Sequence, residues 1–333
     1  MSKFKHFLGI DVSKDYFDAV VILDGNKEKS IHNQFVNDYK GIKSLCKWLK
    51  EQGSTFENTL VCLEHTGMYG KLIVNYLTSF KFDIWVEMSL KIIRSIGLQR
   101  GKNDKIDAER IAYYAMKNKE DAQIYVPPRK VIEQLKKLIS LREHLVTTRA
   151  MLLRNSKELK GFEPELSKIH AKFCKFTVKG LDADLKNIEK ELDNIIESDE
   201  NLSNVYEKST SVTGVGKVTA LYLICYTNEF KMYETPRQLA CYCGVVPFEN
   251  TSGKSVKGRS RVHYMANKKL KKQLHMCAIS SIRAKGDFKD YYDRKVAEGK
   301  NKMLVINNVR NKLIHRICAC IRNNKNYEPR LAS

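Results

Sequence analysis

No apolar run in this sequence approaches the ~20 residues that cross a bilayer. Charge returns at Asp11, before MSKFKHFLGI can build the apolar core of a signal peptide. These absences predict a cytoplasmic chain with no membrane partner. Acids are scarce as well: 38 Asp and Glu stand against 59 Lys and Arg, a net charge of +21 on 333 residues. An excess of that size asks for a polyanionic partner, nucleic acid ahead of an acidic membrane surface. Paired CxxC spacing is missing. The nine Cys include only the CxC pairs Cys241/Cys243 and Cys318/Cys320. Zinc sites usually use a wider spacing, so reduced and mostly buried thiols are expected.

What is present begins with a close acidic pair. The stretch RGKNDKIDAER, residues 100–110, sets Asp104 and Asp107 three residues apart, ahead of the helical pattern IAYYAMKN. At that spacing both side chains leave one face of a helix. They repel each other unless Lys, Arg or a divalent metal lies between them. Lys91, Arg94, Arg100, Lys102 and Lys105 crowd the approach. The plainer reading is a solvated helix start, where acids suit the helix dipole.

Ahead of that pair, hydrophobic patterning predicts strands over 4–12, 16–24 and 29–36, with a turn at Gly25-Asn26. A helix follows over 39–52, capped by Asp38 and ended by Gly53. Then come a strand over 59–64, a helix over 70–80 and a strand over 82–87. The order β-β-β-α-β-α-β-α predicts a mixed α/β layer fold. Functional groups gather at the C-terminal ends of parallel strands in such sheets. Asp11 ends the first strand and Glu64 the fourth, so adjacent parallel strands would make these acids face each other. With Asp104 and Asp107 they would bind one or two divalent ions suited to phosphodiester cleavage.

Residues 129–200 change character. Leu135, Leu138, Leu141, Leu145, Leu152 and Leu159 recur at helical spacing, and Leu181, Leu185, Ile188, Leu192 and Ile195 follow a heptad seam. Gly161-Phe162-Glu163-Pro164 separates the halves. This predicts either an antiparallel helical hairpin within the chain or a dimerising coiled coil. From Ser209, SVTGVGKVTALYLI carries the hydrophobic-Gly turn of a helix-hairpin-helix, which offers backbone N–H groups to phosphate; an ordinary interhelical turn fits as well. A short helix is expected over 236–243 and an extended exit over 244–247.

Between Glu249 and Asp287 there are ten Lys and Arg and no acid. Small residues and glycines fill the first half of that run and a basic helix the second. Lys254, Lys257, Arg259, Arg261, Lys268, Lys269, Lys271 and Lys272 are candidate phosphate contacts, with Arg100, Lys102 and Lys105 from the earlier stretch. Ser252, Ser255 and Ser260 lie among these cations. A serine so placed can act as a nucleophile if its proton is taken; hydrogen bonding within a loop is the commoner role. Residues 301–323 predict a closing amphipathic helix, on which His315 reads as structural.

Taken together, FLGIDVSKD, LVCLEHTGMYG, RGKNDKIDAERIA, SVTGVGKVTA and the run from QLACYCGVVPFENTSGKS to GRSRV resemble the DEDD transposases of bacterial insertion sequences, relatives of the Piv-type DNA invertases. The resemblance covers nearly the whole chain in order. It implies an RNase H-like, RuvC-like catalytic domain over 1–128, a helical coiled-coil segment over 129–204, and a mostly helical transposase domain over 205–333. It implies a metal-binding tetrad of Asp11, Glu64, Asp104 and Asp107 holding Mg2+ (or Mn2+), and Ser252 as the covalent nucleophile on DNA. It further implies guidance by a structured bridge RNA, homodimers pairing into tetramers with composite sites, and a nucleoid-associated bacterial setting. A Holliday-junction-type metal-dependent endonuclease is the alternative, with Ser252 as a phosphate contact only. An actin-like or sugar-kinase ATPase also opens on a strand ending in Gly-Ile-Asp, but it needs two further glycine-rich loops that this sequence lacks. A purely architectural nucleic-acid binder would leave the four acids unexplained.

Overall fold

Every residue from His6 to Ile10 is buried, as a strand covered on both faces requires. This strand, β1 (His6–Val12), is the middle of a five-stranded sheet ordered β3-β2-β1-β4-β5. The computed structural model describes residues 3–65, 67–96, 103–252 and 256–329, and of residues 96, 252, 256 and 257 the backbone alone. The chain divides into two compact units, 1–127 and 128–333.

In the first unit β2 (Tyr16–Ile22) pairs antiparallel with β1, and β3 (Ser30–Val36) antiparallel with β2. β4 (Thr59–Glu64) runs parallel to β1, and β5 (Asp83–Glu87) parallel to β4. The predicted second strand runs past the true end, because Leu23–Gly25 and Lys27–Lys29 form short 3-10 turns, with Asp24 and Gly25 at positive φ. α1 (Tyr39–Glu51) starts where predicted, Asp38 accepting from the Gly41 N–H at 2.7 Å. α2 (Lys71–Ser79) and α3 (Ser89–Ile96) flank β5 in sequence. α4 (Asp104–Lys117) is the element the acidic pair opens.

Alternation along the strands gives each face its own core. Leu8, Ile10, Phe17, Val21 and Leu63 pack with Ile42, Leu45 and Leu49 of α1 and with Ile73 and Leu77 of α2. Phe7, Val20, Ile22, Cys62 and Trp85 pack with Ala108, Ile111, Ala112 and Ala115 of α4. Gly9 lets α4 lie flush on β1: a Cβ there would stand 2.2 Å from both the Ala108 carbonyl oxygen and the Ala112 nitrogen. Those are backbone atoms, so the helix itself would have to move. Gly9→Ala is therefore expected to cost at least about 1–3 kcal/mol, read as a lower denaturant midpoint. An unchanged midpoint would mean α4 is not seated there.

In the second unit α5 (Lys130–Phe162) and α6 (Pro164–Ser198) turn back on each other at Glu163. Arg142 pairs with Glu189, Arg149 with Asp182, and the Ser167 hydroxyl donates to the Ser156 carbonyl. Partner numbers fall as the first numbers rise, which defines an antiparallel hairpin. Of the heptad seam, Ile188, Leu192 and Ile195 are buried in the unit's own core, so the intramolecular reading holds for those residues. Arg129 fastens the root of the hairpin, bonding Asp199 at 2.6 Å and the buried Glu229 at 3.0 Å.

α7 (Glu200–Thr210) and α8 (Lys217–Tyr226) flank the VTGVG turn. Gly214 is required there twice over: its φ is +88°, and a Cβ would stand 2.7 Å from the Ser281 backbone nitrogen. α9 (Pro236–Tyr242) carries a capping box closed by Thr235 and Gln238. β6 (Phe248–Ser252) and β7 (Val256–Arg261) then form an antiparallel hairpin where only a small-residue stretch was predicted. VKGRSR gave little sign of a strand because it has no alternating apolar face. α10 (Lys268–Arg283), α11 (Asp287–Ala297) and α12 (Lys302–Asn323) complete the unit. His315 is exposed on α12, so it does not serve the core. Among the described residues, no helix is long and apolar enough to cross a membrane.

Candidate active site

Strand register decides which acids share a face. Asp11 stands opposite Asp18 on β2. Ile10 stands opposite Leu63, which puts Glu64 beside Asp11. Glu64 in turn stands opposite Glu87 on β5. A row of carboxylates, Asp18–Asp11–Glu64–Glu87, thus crosses four strands on the face that α4 covers. Sequence reasoning found the inner pair and missed the outer pair. The signal was there: TLVCLE and DIWVE both end in Glu, and paired parallel strands bring those ends level.

The outer acids find hydrogen-bond partners within the protein. Asp18, buried, meets the His32 Nε2 at 2.6 Å and accepts from the Gln34 side-chain amide at 3.1 Å. Glu87, also buried, accepts from Lys91 at 2.7 Å, the Tyr114 hydroxyl at 3.1 Å and the Met88 N–H at 2.8 Å. The inner acids are less compensated. Glu64 accepts from the Ser89 hydroxyl at 2.5 Å. For Asp11 every influence points one way: burial, then Glu64, Asp104, Asp107 and Asp18 in turn, push its pKa up to about 6.

Asp104 and Asp107 enter from α4. Asn103 caps that helix by accepting from the Lys105 N–H, and both acids fall in its first turn, where the dipole favours them. Asp107 also accepts from Arg110 at 2.7 Å. The plain reading of this pair as a helix start is therefore correct as geometry, and it does not compete with a role in the site. Glu64, Asp104 and Asp107 each lie within electrostatic range of Asp11. They are not yet in ligating contact: among the described residues no three Asp, Glu, His or Cys side chains are grouped closely enough to hold a metal ion. The donor set itself, all carboxylate oxygen with an uncompensated charge at Asp11, fits a hard divalent cation.

Asp18 gives this arrangement a test. Asp18→Asn removes one of the like charges on Asp11, so the Asp11 carboxyl should titrate lower, toward the ordinary carboxylate range, in a side-chain NMR titration. It also turns an amide toward Gln34, which should cost about 1–3 kcal/mol of stability. An unmoved Asp11 titration would break the proposed row.

The other predicted residues lie in the second unit. Ser252 is the last residue of β6, opposite Val256; its side chain and that of Lys257 lie outside the described residues, as do Arg100, Lys102, Lys254 and Ser255 altogether. Arg259 and Arg261 are exposed and share one face of β7, while Ser260 is exposed on the other. Lys268, Lys269, Lys271 and Lys272 fall in the first five positions of α10, whose first turn holds no acid. Cations there oppose the helix dipole, an arrangement that an anionic partner would relieve. Lys269 is partly spent, pairing with Glu143 at 2.6 Å, and the stem of Lys271 lies beside Gly244. Lys105 is exposed on α4. All nine Cys are free thiols, and the CxC pairs build no metal site among the described residues.

Two transposase family models match the sequence. Residues 8–161 match the family model of IS110-type DEDD transposases, and residues 207–293 that of the IS116/IS110/IS902 transposase family. The chain is 24% identical to the pilin gene-inverting protein of Moraxella bovis, across 98% of this chain and 99% of that one. The pilin gene-inverting protein of Moraxella lacunata is likewise 24% identical over the same shares. An uncharacterised 43.6 kDa protein of insertion element IS110 from Streptomyces coelicolor is 30% identical over 37% of this chain and 30% of its own length.

Proposed function

The chain belongs to the IS110-type transposase family and is a DNA recombinase, and from that premise we propose that it moves an insertion element by serine attack on DNA, served by a carboxylate metal site and guided by a structured RNA. The observation that carries the reading is the carboxylate row, hydrogen-bonded to partners at its ends and without a counter-charge at Asp11. The strand order β3-β2-β1-β4-β5, with β2 antiparallel and α4 across one face, supports an RNase H-like, RuvC-like fold for the first unit. By this reading 1–128 is the catalytic domain, 129–204 the assembly segment and 205–333 the transposase domain.

Asp11, Glu64, Asp104 and Asp107 would hold Mg2+ or Mn2+. Such an ion supplies charge stabilisation to a phosphoryl group under attack. The Ser252 Oγ forms a bond to the scissile phosphorus, and the bond to the 3′-oxygen breaks. The serine proton ends on that departing oxygen, leaving a free 3′-OH and a phosphoserine link. A 3′-OH from the exchanging strand then attacks the link and returns the serine. One phosphodiester is made for each one broken, so no nucleotide cofactor is needed. Arg259, Arg261 and the lysines opening α10 hold the backbone of DNA, RNA or both by charge.

Assembly as a homodimer that pairs into a tetramer is part of the proposal. Its support is a second seam on α6: Leu166, Ile169, Phe173 and Phe176, spaced 3-4-3, are all exposed, the last two at 77% and 81%. That is heptad spacing left exposed among the described residues, and a second copy of the same seam complements it under twofold symmetry. Phe173→Glu with Phe176→Glu should lower the sedimenting mass and leave the helical content unchanged. An unaltered mass would exclude this seam.

The reaction is tested on a plasmid carrying the element ends and a target, with Mg2+ and RNA transcribed from the DNA flanking the gene. Protein-linked DNA on a denaturing gel and RNA-dependent recombinants are expected. Hydrolysed ends without linked protein would favour the junction-type endonuclease. Recombination at full rate without RNA would remove the guide.

A further inference from the structure

The strongest unexplained group in the second unit is a buried cation. Arg310 on α12 is 7% exposed. Its Nε is fully buried and has no hydrogen-bond partner among the described residues. Burial alone sets its pKa, which is lowered, with no acid acting to raise it. Buried arginines normally sit against a carboxylate, because an isolated charge in a low-dielectric setting is costly. A trapped water satisfies a hydrogen bond but does not cancel a charge.

Two neighbours share the anomaly. His275 on α10 and Asn311 on α12 each hold a buried side-chain atom without a partner, so three of the six such atoms among the described residues fall on this helix pair. Burial, and next Arg310 itself, depress the His275 pKa, which leaves the ring neutral. One turn before Arg310, Asn307 donates to the Val245 carbonyl at 2.9 Å, three residues ahead of β6. One turn before His275, Lys271 stands against Gly244. The buried guanidinium thus faces His275, one turn along α12 from the residue that fastens Val245, while Lys271 stands one turn before His275 on α10.

We propose that Arg310, with His275 beside it and Lys271 one turn further along α10, forms a receptor for a backbone phosphate of bound nucleic acid. The guanidinium presents fixed donors to phosphate oxygens, a geometry lysine does not reproduce. The site rests on the reading of the chain as a nucleic-acid enzyme, and it adds Arg310 and His275 to the basic residues assigned above. Its setting explains why α10 and α12 tolerate an uncompensated charge: the compensating anion arrives with the ligand.

The test is Arg310→Met in the full chain, with Arg310→Lys beside it. Each is titrated with a duplex DNA oligonucleotide and, separately, with a structured RNA hairpin, over a series of salt concentrations. Thermal unfolding is followed in parallel. Arg310→Met should unfold no more easily than wild type, since it removes a buried unpaired charge. It should bind at least one of the two nucleic acids roughly tenfold more weakly, with a salt dependence about one unit shallower. Arg310→Lys should restore part of the slope and less of the affinity. Whichever polymer shows the loss identifies the source of the phosphate. A lower melting temperature with unchanged binding would make Arg310 a structural residue and overturn the proposal. Unchanged stability and unchanged salt slopes for both polymers would overturn it as well. Protection by inorganic phosphate alone, with neither polymer affected, would reject the nucleic-acid ligand. Wild type that binds neither polymer would instead sink the functional reading on which the site rests.

Discussion

Asp11→Asn is expected to stop strand transfer and, without metal, to make the protein more stable. Both follow from one crowded carboxylate. Its pKa stands at about 6 instead of 3.8, chiefly through burial and then through four neighbouring acids. Two pKa units correspond to about 3 kcal/mol; discounted for partial solvent exposure, about 1–2 kcal/mol of strain remains at neutral pH. The sign is fixed by linkage. A carboxyl whose folded pKa is raised favours the fold below its unfolded pKa, and that benefit is lost as pH rises through 6. The melting temperature of the variant should therefore exceed wild type most above pH 6, with the gap closing toward pH 4. Divalent metal should raise the wild-type melting temperature and leave the variant nearly unmoved. Strand transfer should fall by roughly a thousandfold or more. A variant that recombines at wild-type rates, or is less stable at pH 7, would remove Asp11 from the site.

Ser252→Ala should abolish protein-linked DNA, a loss of roughly 10⁴-fold or more, with DNA and RNA affinity within about twofold of wild type. The asymmetry comes from chemistry: one hydroxyl among many cations adds little to charge-driven binding, but a covalent link cannot form without its nucleophile. Ser255→Ala and Ser260→Ala are the controls. Both should still form the link. If either of them loses it and Ser252→Ala retains it, the nucleophile has been placed on the wrong residue of the same run.

Much of the first unit was readable because its signals are local. Asp38 caps a helix by an i to i+3 bond that the sequence spells out, and FLGI and TLVCL are apolar enough to admit only buried strands. The inner acids, Asp11 and Glu64, could be read for the same reason, since each closes such a run. Asp18 and Glu87 could not be read without register, which is a relation between strands. The β6–β7 hairpin escaped because its residues are polar on both faces, and pairing there is held by backbone bonds that leave little pattern in the side chains. Arg310 was invisible for a further reason. An arginine on an amphipathic helix looks solvated until the packing of α10 against α12 shows its Nε closed off from water.

The α5–α6 hairpin has a reach as well as a fold. A helix of 33 residues, the length of α5, extends about 50 Å at 1.5 Å per residue. That is roughly fifteen base pairs of B-form DNA at 3.4 Å each. In the proposed dimer, with two copies joined along the exposed α6 seam, the arm would act as a ruler between the duplexes they hold. Adding one heptad to each helix would lengthen it by about 10 Å and keep the seam in phase. Such a protein should cut each site as before and fail at joining them, because the strands to be exchanged would be held too far apart.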